Sequence, residues 1–118
     1  MSVQHKEMEA GRWQAMTLME QLANVGSEVS RALNWRAKEN ADYSMRAFER
    51  ALELLDLTIA CPAHRRRLKE IVRMREVIAD FFVGDNKYGS TSELLNKQFL
   101  AYAVAARNGR ANGIGRSS

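Results

Sequence analysis

The chain has 118 residues, of which 46% are hydrophobic and 27% are charged, which is the size and composition of one globular domain. Its single cysteine, Cys61, excludes an internal disulfide, and no apolar run reaches the roughly 18 residues that cross a membrane. The first ten residues are polar and charged, which excludes an apolar targeting segment there. We therefore expect a cytoplasmic protein that has no membrane partner.

One long helix is predicted from Arg12 to about Lys38, after a flexible N-terminus at residues 1–11. Apolar residues recur there at spacings of three and four, as in the buried stripe of a packed helix. They are Ala15, Leu18, Leu22, Val25, Val29 and Ala32. Gly26 lies inside the stripe, where glycine costs about 1 kcal/mol relative to alanine. It either admits a neighbouring helix to close range or marks a kink, and we favour close packing.

Three further helices follow in the prediction. Asn40 is a good N-cap for the second, Pro62 fits the first turn of the third, and Ser90 with Glu93 fits a capping box before the last. The third helix is expected to stop at Gly84 and the last by Asn108–Gly109. The buried stripes are predicted to comprise Met45, Phe48, Leu52, Leu55 and Ile59, then Ile71, Met74, Ile78 and Phe81, then Leu95, Phe99, Tyr102 and Ala106.

Residues 109–118 carry no apolar stripe and are rich in glycine and serine, so we expect a disordered basic tail. The predicted fold is all-α: an antiparallel up-and-down four-helix bundle over residues 12–108, with a long first helix and a disordered C-terminal tail. The short predicted loops favour antiparallel neighbours.

The net charge of +4 is concentrated in two tracts. Residues 64–76 hold six basic side chains against two acidic ones, and residues 107–118 hold three arginines and no acid. On a continuous helix Arg66, Lys69 and Arg73 share one face, which would follow the phosphates of RNA or DNA. The alternative is a solvated face neutralised by Glu70 and Glu76. The candidate nucleic-acid-binding residues are Arg65, Arg66, Arg67, Lys69, Arg73, Arg107 and Arg110.

The residues that usually carry catalysis form no recognisable constellation. Cys61 and His64 make a Cys-x-x-His pair, which supplies only two of the four ligands of a structural zinc site. The Glu-x-x-His pairs of di-iron bundles and the ending of a phosphate-binding loop are both missing. We predict no enzyme, no metal and no cofactor. An unrecognised polar pocket around Asn24, Glu28 and Arg75 stays open as an alternative.

Two tryptophans, Trp13 and Trp35, bracket the predicted first helix. That helix would span about 40 Å at roughly 1.5 Å per residue, longer than the others, and a second copy of the chain would cover its overhang. Two-fold dimers are the commonest oligomers. The candidate interface residues are Trp13, Leu18 and Trp35. In the alternative, the tryptophans cover the ends of the bundle.

The segment Arg46–Leu54 and the triplet Ala106–Asn108 give the chain a resemblance to HEPN-type four-helix proteins, small bundles that accompany nucleotidyltransferases or act as RNases. Active members of that family carry Arg-Asn followed three residues later by histidine. Here Arg107-Asn108 is followed by Gly-Arg-Ala-Asn at 109–112, without the histidine. The resemblance therefore implies a bundle that pairs with itself or with a partner, and no RNase activity.

These observations lead to two functional hypotheses. The first is a non-enzymatic, bacterial-type interaction module that forms a homodimer and can bind a protein partner. The alternative is a nucleic-acid-binding bundle that uses the basic third helix and the tail.

Overall fold

The computed structural model describes residues 11–116, with side chains for residues 11–109. Residues 11–14 are helical, and four further helices follow: α1 (Leu18–Ala37), α2 (Ala41–Ile59), α3 (Leu68–Val83) and α4 (Ser92–Arg116). A 3-10 helix, Pro62–Arg67, joins α2 to α3. No strand occurs between residues 11 and 116, so the predicted all-α class is confirmed. The flexible N-terminus that we predicted lies almost wholly outside the described residues.

The predicted long first helix is wrong, because the helix is interrupted between residues 14 and 18. Thr17 caps a new N-terminus: its Oγ1 accepts a hydrogen bond from the Glu20 amide at 3.2 Å, and Glu20 Oε1 accepts one from the Thr17 amide at 2.9 Å. This capping box satisfies amide groups that an uninterrupted helix would bond internally. At 20 residues α1 matches the 19 of α2, so it has no overhang for a second copy to cover.

Other helix ends follow the sequence more closely. Asn40 caps α2 as predicted, because its Oδ1 accepts a hydrogen bond from the Tyr43 amide at 3.1 Å. Pro62 begins the 3-10 helix, and α3 starts only at Leu68. At the start of α4 the cap is Thr91 in place of Ser90, since Thr91 Oγ1 accepts from the Leu94 amide at 3.1 Å.

The last helix runs past its predicted end at Asn108–Gly109. Its backbone is helical to Arg116, although the apolar stripe ends at Ala106. Extending an existing helix adds one hydrogen bond for each residue fixed, so propagation does not require a stripe. The disorder expected from residue 109 onward is not confirmed.

Helix α1 is the centre of the packing, since it approaches both α2 and α4 closely, while α3 lies mainly against α2. Small residues permit the α1–α2 approach: Ala32, Ala47 and Ala51 are all buried. Met45, which we placed in the buried stripe of α2, is exposed instead. The described core comprises Leu22, Val25, Val29, Leu33, Phe48, Leu54, Leu55, Ile71, Met74, Ile78, Leu95 and Phe99, with the three alanines, Trp13 and Cys61.

Gly26 lies where α1 and α4 touch. A Cβ atom placed on it would come within 2.6 Å of Phe99 Cβ, closer than real Cβ contacts come. The expectation that this glycine admits a neighbouring helix is confirmed. Two grooves adjoin this contact: one is lined by Ser30 and Asn96 among others, and one by Met16 and Ala106 among others.

Candidate functional site

The polar pocket that we considered around Asn24, Glu28 and Arg75 forms without Arg75: Asn24 and Glu28 line one hollow of about 530 Å³. Arg75 lies on α3, and its Nε donates to Asp56 Oδ1 on α2 at 2.7 Å. Glu28 accepts a hydrogen bond from Arg31 at 3.0 Å, and Asn24 donates to the Glu20 carbonyl at 2.8 Å. The three side chains therefore have separate hydrogen-bond partners, and Arg75 does not converge with the other two.

Cys61 lies in the protein interior, and His64 lies partly buried at its edge. Cys61 is buried, with Gln21 Nε2 at 3.5 Å from its Sγ atom. Gln21 Nε2 also donates to the Trp13 carbonyl at 2.8 Å, so a buried amide ties the first helical turn to α1. Within residues 11–109, no cluster of three or more His, Cys, Asp or Glu side chains is arranged to hold a metal ion.

The basic tract is exposed but does not form one continuous helical face. Arg65, Arg66 and Arg67 lie in the 3-10 helix, whereas Lys69 and Arg73 lie in α3. Near-zero ψ at both His64 and Arg67 departs from α-helical geometry, so the face that we predicted from regular helical spacing is not maintained.

Two arginines of the tract already have carboxylate partners. Arg67 donates two hydrogen bonds to Glu70, at 2.7 and 3.1 Å, and these raise the pKa of the Arg67 guanidinium. Arg73 lies 3.9 Å from Glu76, and its guanidinium is 5.4 Å from the centre of the Tyr88 ring. Arg107 is exposed on α4, and the side chain of Arg110 is outside the described residues.

The three predicted interface residues are scattered. Trp13 is only 4% exposed, and its Nε1 donates to Thr58 Oγ1 at 2.9 Å, so it covers one end of the core. Leu18 is partly buried against that core. Trp35 is half-buried at the other end of α1, where its ring meets Tyr43. They do not form one surface.

A different apolar surface lies on α4, and sequence reasoning missed it. Leu95, Phe99 and Ala106 are buried, but Leu94, Leu100 and Val104 are 57%, 61% and 40% exposed. The available signal was Leu100 and Val104, four residues apart and outside the predicted stripe.

Next to Leu100 a groove of about 470 Å³ runs between α1 and α4. Its α1 wall is made of small side chains, and Ala103 adds another on α4; the lining residues are Ala23, Gly26, Ser27, Ser30, Asn96, Phe99, Leu100 and Ala103. We call this the α1–α4 groove.

On the other side of α1 lies a groove of about 270 Å³ that carries both arginines and aromatic rings. Its lining comprises Glu28, Arg31 and Trp35 from α1 and Tyr43, Arg46, Ala47 and Arg50 from α2. We call it the arginine–aromatic groove. No stretch of the sequence shows it, because its two walls come from different helices.

Comparison with known proteins assigns no function to these surfaces. No family model, no curated protein and no solved structure matches the chain. None of the helices within residues 11–116 is long and apolar enough to cross a membrane. The surfaces themselves are therefore the basis for a functional proposal.

Proposed function

We propose that the chain is an antiparallel up-and-down four-helix bundle that acts as a non-enzymatic interaction module and forms a homodimer through α4 and the α1–α4 groove. The observation that carries the proposal is the exposure of Leu100 and Val104, four residues apart on α4, together with that of Leu94 at the start of the helix. A helix that is apolar on two sides is typical of a helix buried on two sides. In one chain, α1 covers only one of them.

The same surface has both a protrusion and a recess. Leu100 stands out beside a groove whose α1 wall consists of Ala23, Gly26, Ser27 and Ser30. A two-fold interface brings identical surfaces together, so the Leu100 side chain of one copy would enter the groove of the other. A partner of another sequence would need no such pairing of protrusion and recess on one surface, which favours a second copy as the occupant.

Size-exclusion chromatography with light scattering tests the dimer. The chain has a mass of 13.4 kDa, and we expect twice that for the native protein. Leu100→Asp should reduce the mass to that of a monomer while the far-ultraviolet circular dichroism stays helical, because Leu100 is exposed in the single chain. Val83→Asp is the matched control: Val83 is equally exposed at the end of α3 and should leave the dimer intact. A native monomer, or a dimeric Leu100→Asp variant, would contradict the proposal.

A second candidate function is nucleic-acid binding through the basic tract. Its support is that Arg65, Arg66 and Lys69 are exposed and pair with no carboxylate among the described side chains. Such cations would release counterions when they contact phosphates. Replacing the three by glutamine should weaken nucleic-acid binding and flatten its salt dependence. Unchanged affinity would remove this face from consideration.

A further inference from the structure

The arginine–aromatic groove concentrates positive charge along two helices. Arg31 contributes from α1, and Arg46 and Arg50 contribute from α2. The adjoining hollow, of about 530 Å³, shares Arg31 and Arg50 and adds Arg12. Four arginines therefore line one continuous path across the molecule.

Carboxylates pair with two of these arginines. Glu28 lies 3.0 Å from Arg31, and Glu53 lies 3.4 Å from Arg50 on the exposed side of α2. Lys38 adds a further cation at the aromatic end, 5.2 Å from the Trp35 ring. Surface ion pairs of this kind hold their partners weakly, so an arriving phosphate can compete for both guanidinium groups.

The aromatic side chains lie at the same end of the path. The rings of Trp35 and Tyr43 meet edge to face, with centroids 4.8 Å apart and planes at 75°. Tyr43 is 46% exposed, and the Arg46 guanidinium lies 5.5 Å from its ring centre. Exposed rings beside guanidinium groups are the arrangement on which proteins stack unpaired bases.

The spacing along α2 suits an extended polymer. Tyr43, Arg46 and Arg50 occur at intervals of three and four residues, so they lie on one face, with the two arginines about 6 Å apart along the helix axis. A strand that lies along the groove would pass a ring first and guanidinium groups next. An acidic peptide would use the arginines but would gain nothing specific from the rings.

We propose that the arginine–aromatic groove binds single-stranded nucleic acid, with phosphates on Arg31, Arg46 and Arg50 and a base stacked on Tyr43. RNA and DNA share this chemistry. The groove shares no lining residue with the α1–α4 groove or with the basic tract, so the proposal does not depend on either candidate function.

Fluorescence anisotropy with labelled oligo-uridylate and oligo-thymidylate of about 12 nucleotides tests it, since single-stranded sites cover roughly 4–16 nucleotides. The groove variant carries Arg31→Gln, Arg46→Gln and Arg50→Gln. Its matched control carries Arg65→Gln, Arg66→Gln and Lys69→Gln, which remove the same charge from the basic tract. Each single-strand phosphate contact contributes about 0.7 to the slope of log affinity against log salt, so the groove variant should lose about 2 and the control should lose nothing.

The aromatic contact has its own readout. Tyr43→Ala should weaken binding at least about five-fold at fixed salt, whereas Tyr43→Phe, which keeps the ring, should bind as the native protein does. Comparing oligo-uridylate with oligo-deoxyuridylate, which differ only in the sugar, identifies the sugar that the groove accepts. Circular dichroism and light scattering on every variant separate loss of binding from loss of fold or of the dimer.

Three results would overturn the proposal. In the first, neither oligonucleotide binds. In the second, the salt slope falls in the basic-tract control and is unchanged in the groove variant, which would support the second candidate function instead. In the third, an oligo-glutamate peptide binds through the same arginines and Tyr43→Ala has no effect, which would make the groove a site for an acidic protein segment.

Discussion

Replacing Gly26 by alanine tests the close contact between α1 and α4. The added Cβ would lie 2.6 Å from Phe99 Cβ and 3.0 Å from its Cγ and Cδ1 atoms. Because Phe99 Cβ is fixed to the backbone of α4, a rotamer change cannot relieve the clash, and the helices must separate. Overpacking of this kind costs about 1–3 kcal/mol, while the helix propensity of alanine returns about 1 kcal/mol. We expect a net loss of up to about 2 kcal/mol in the free energy of unfolding.

The matched control is Gly109→Ala. Gly109 is exposed in α4, and a Cβ atom there would meet nothing within 4 Å. This variant gains the same helix propensity without a clash, so it should be more stable than the native protein by about 0.5–1 kcal/mol. The difference between the two variants isolates the packing cost and should be about 1–3 kcal/mol.

Urea denaturation at a fixed protein concentration, followed by circular dichroism and tryptophan fluorescence, measures both variants. Equal stability of Gly26→Ala and Gly109→Ala would refute the close approach of the two helices. It would also remove the physical basis of the α1–α4 groove, whose inner wall depends on the missing side chain at residue 26.

Three further predictions concern the ends and the interior of the fold. Thr17→Ala should lower the free energy of unfolding, measured by urea denaturation, by about 1 kcal/mol, because it removes the hydroxyl that accepts a hydrogen bond from the Glu20 amide. An unchanged value would show that the cap contributes nothing to stability. Leu22→Asp should abolish the helical circular dichroism signal at room temperature, because it buries an unpaired charge, and a folded variant would contradict the core assignment. The Cys61 thiol is buried beside Gln21, so in the folded protein it should react with a thiol reagent only as fast as local unfolding exposes it. In denaturant it should react at once. Immediate reaction of the folded protein would show that the thiol is accessible.

Local signals in the sequence predicted the helices well and their ends less well. The cap at Asn40 follows from one side chain and its neighbouring amides, which is information that the sequence contains. The break at Thr17 was equally visible as Thr-x-x-Glu, but the apolar stripe from Ala15 to Leu22 runs across it and favoured an uninterrupted helix. At the start of α4 the prediction chose Ser90 as the cap, one residue before Thr91, the actual cap.

The place of Trp13, one of the candidate interface residues, could not be read from the sequence for a different reason. Trp13 is a large aromatic residue. Its sequence position is compatible with a contact to a second subunit or with a side chain that covers the end of the bundle. The hydrogen bond from its Nε1 to Thr58, 45 residues away, shows that Trp13 covers the end of the bundle. Only a contact between distant segments can make that distinction, because burial depends on what else packs nearby.

The sequence by itself determined the helical class, since the period of its apolar residues depends only on neighbouring positions along the chain. It also determined that Gly26 requires an explanation. The tertiary structure decided that Phe99 provides that explanation, that α4 exposes a second apolar face, and that Arg31 and Trp35 of α1 face Tyr43, Arg46 and Arg50 of α2. Those juxtapositions depend on how the helices are oriented against one another, which no local pattern specifies.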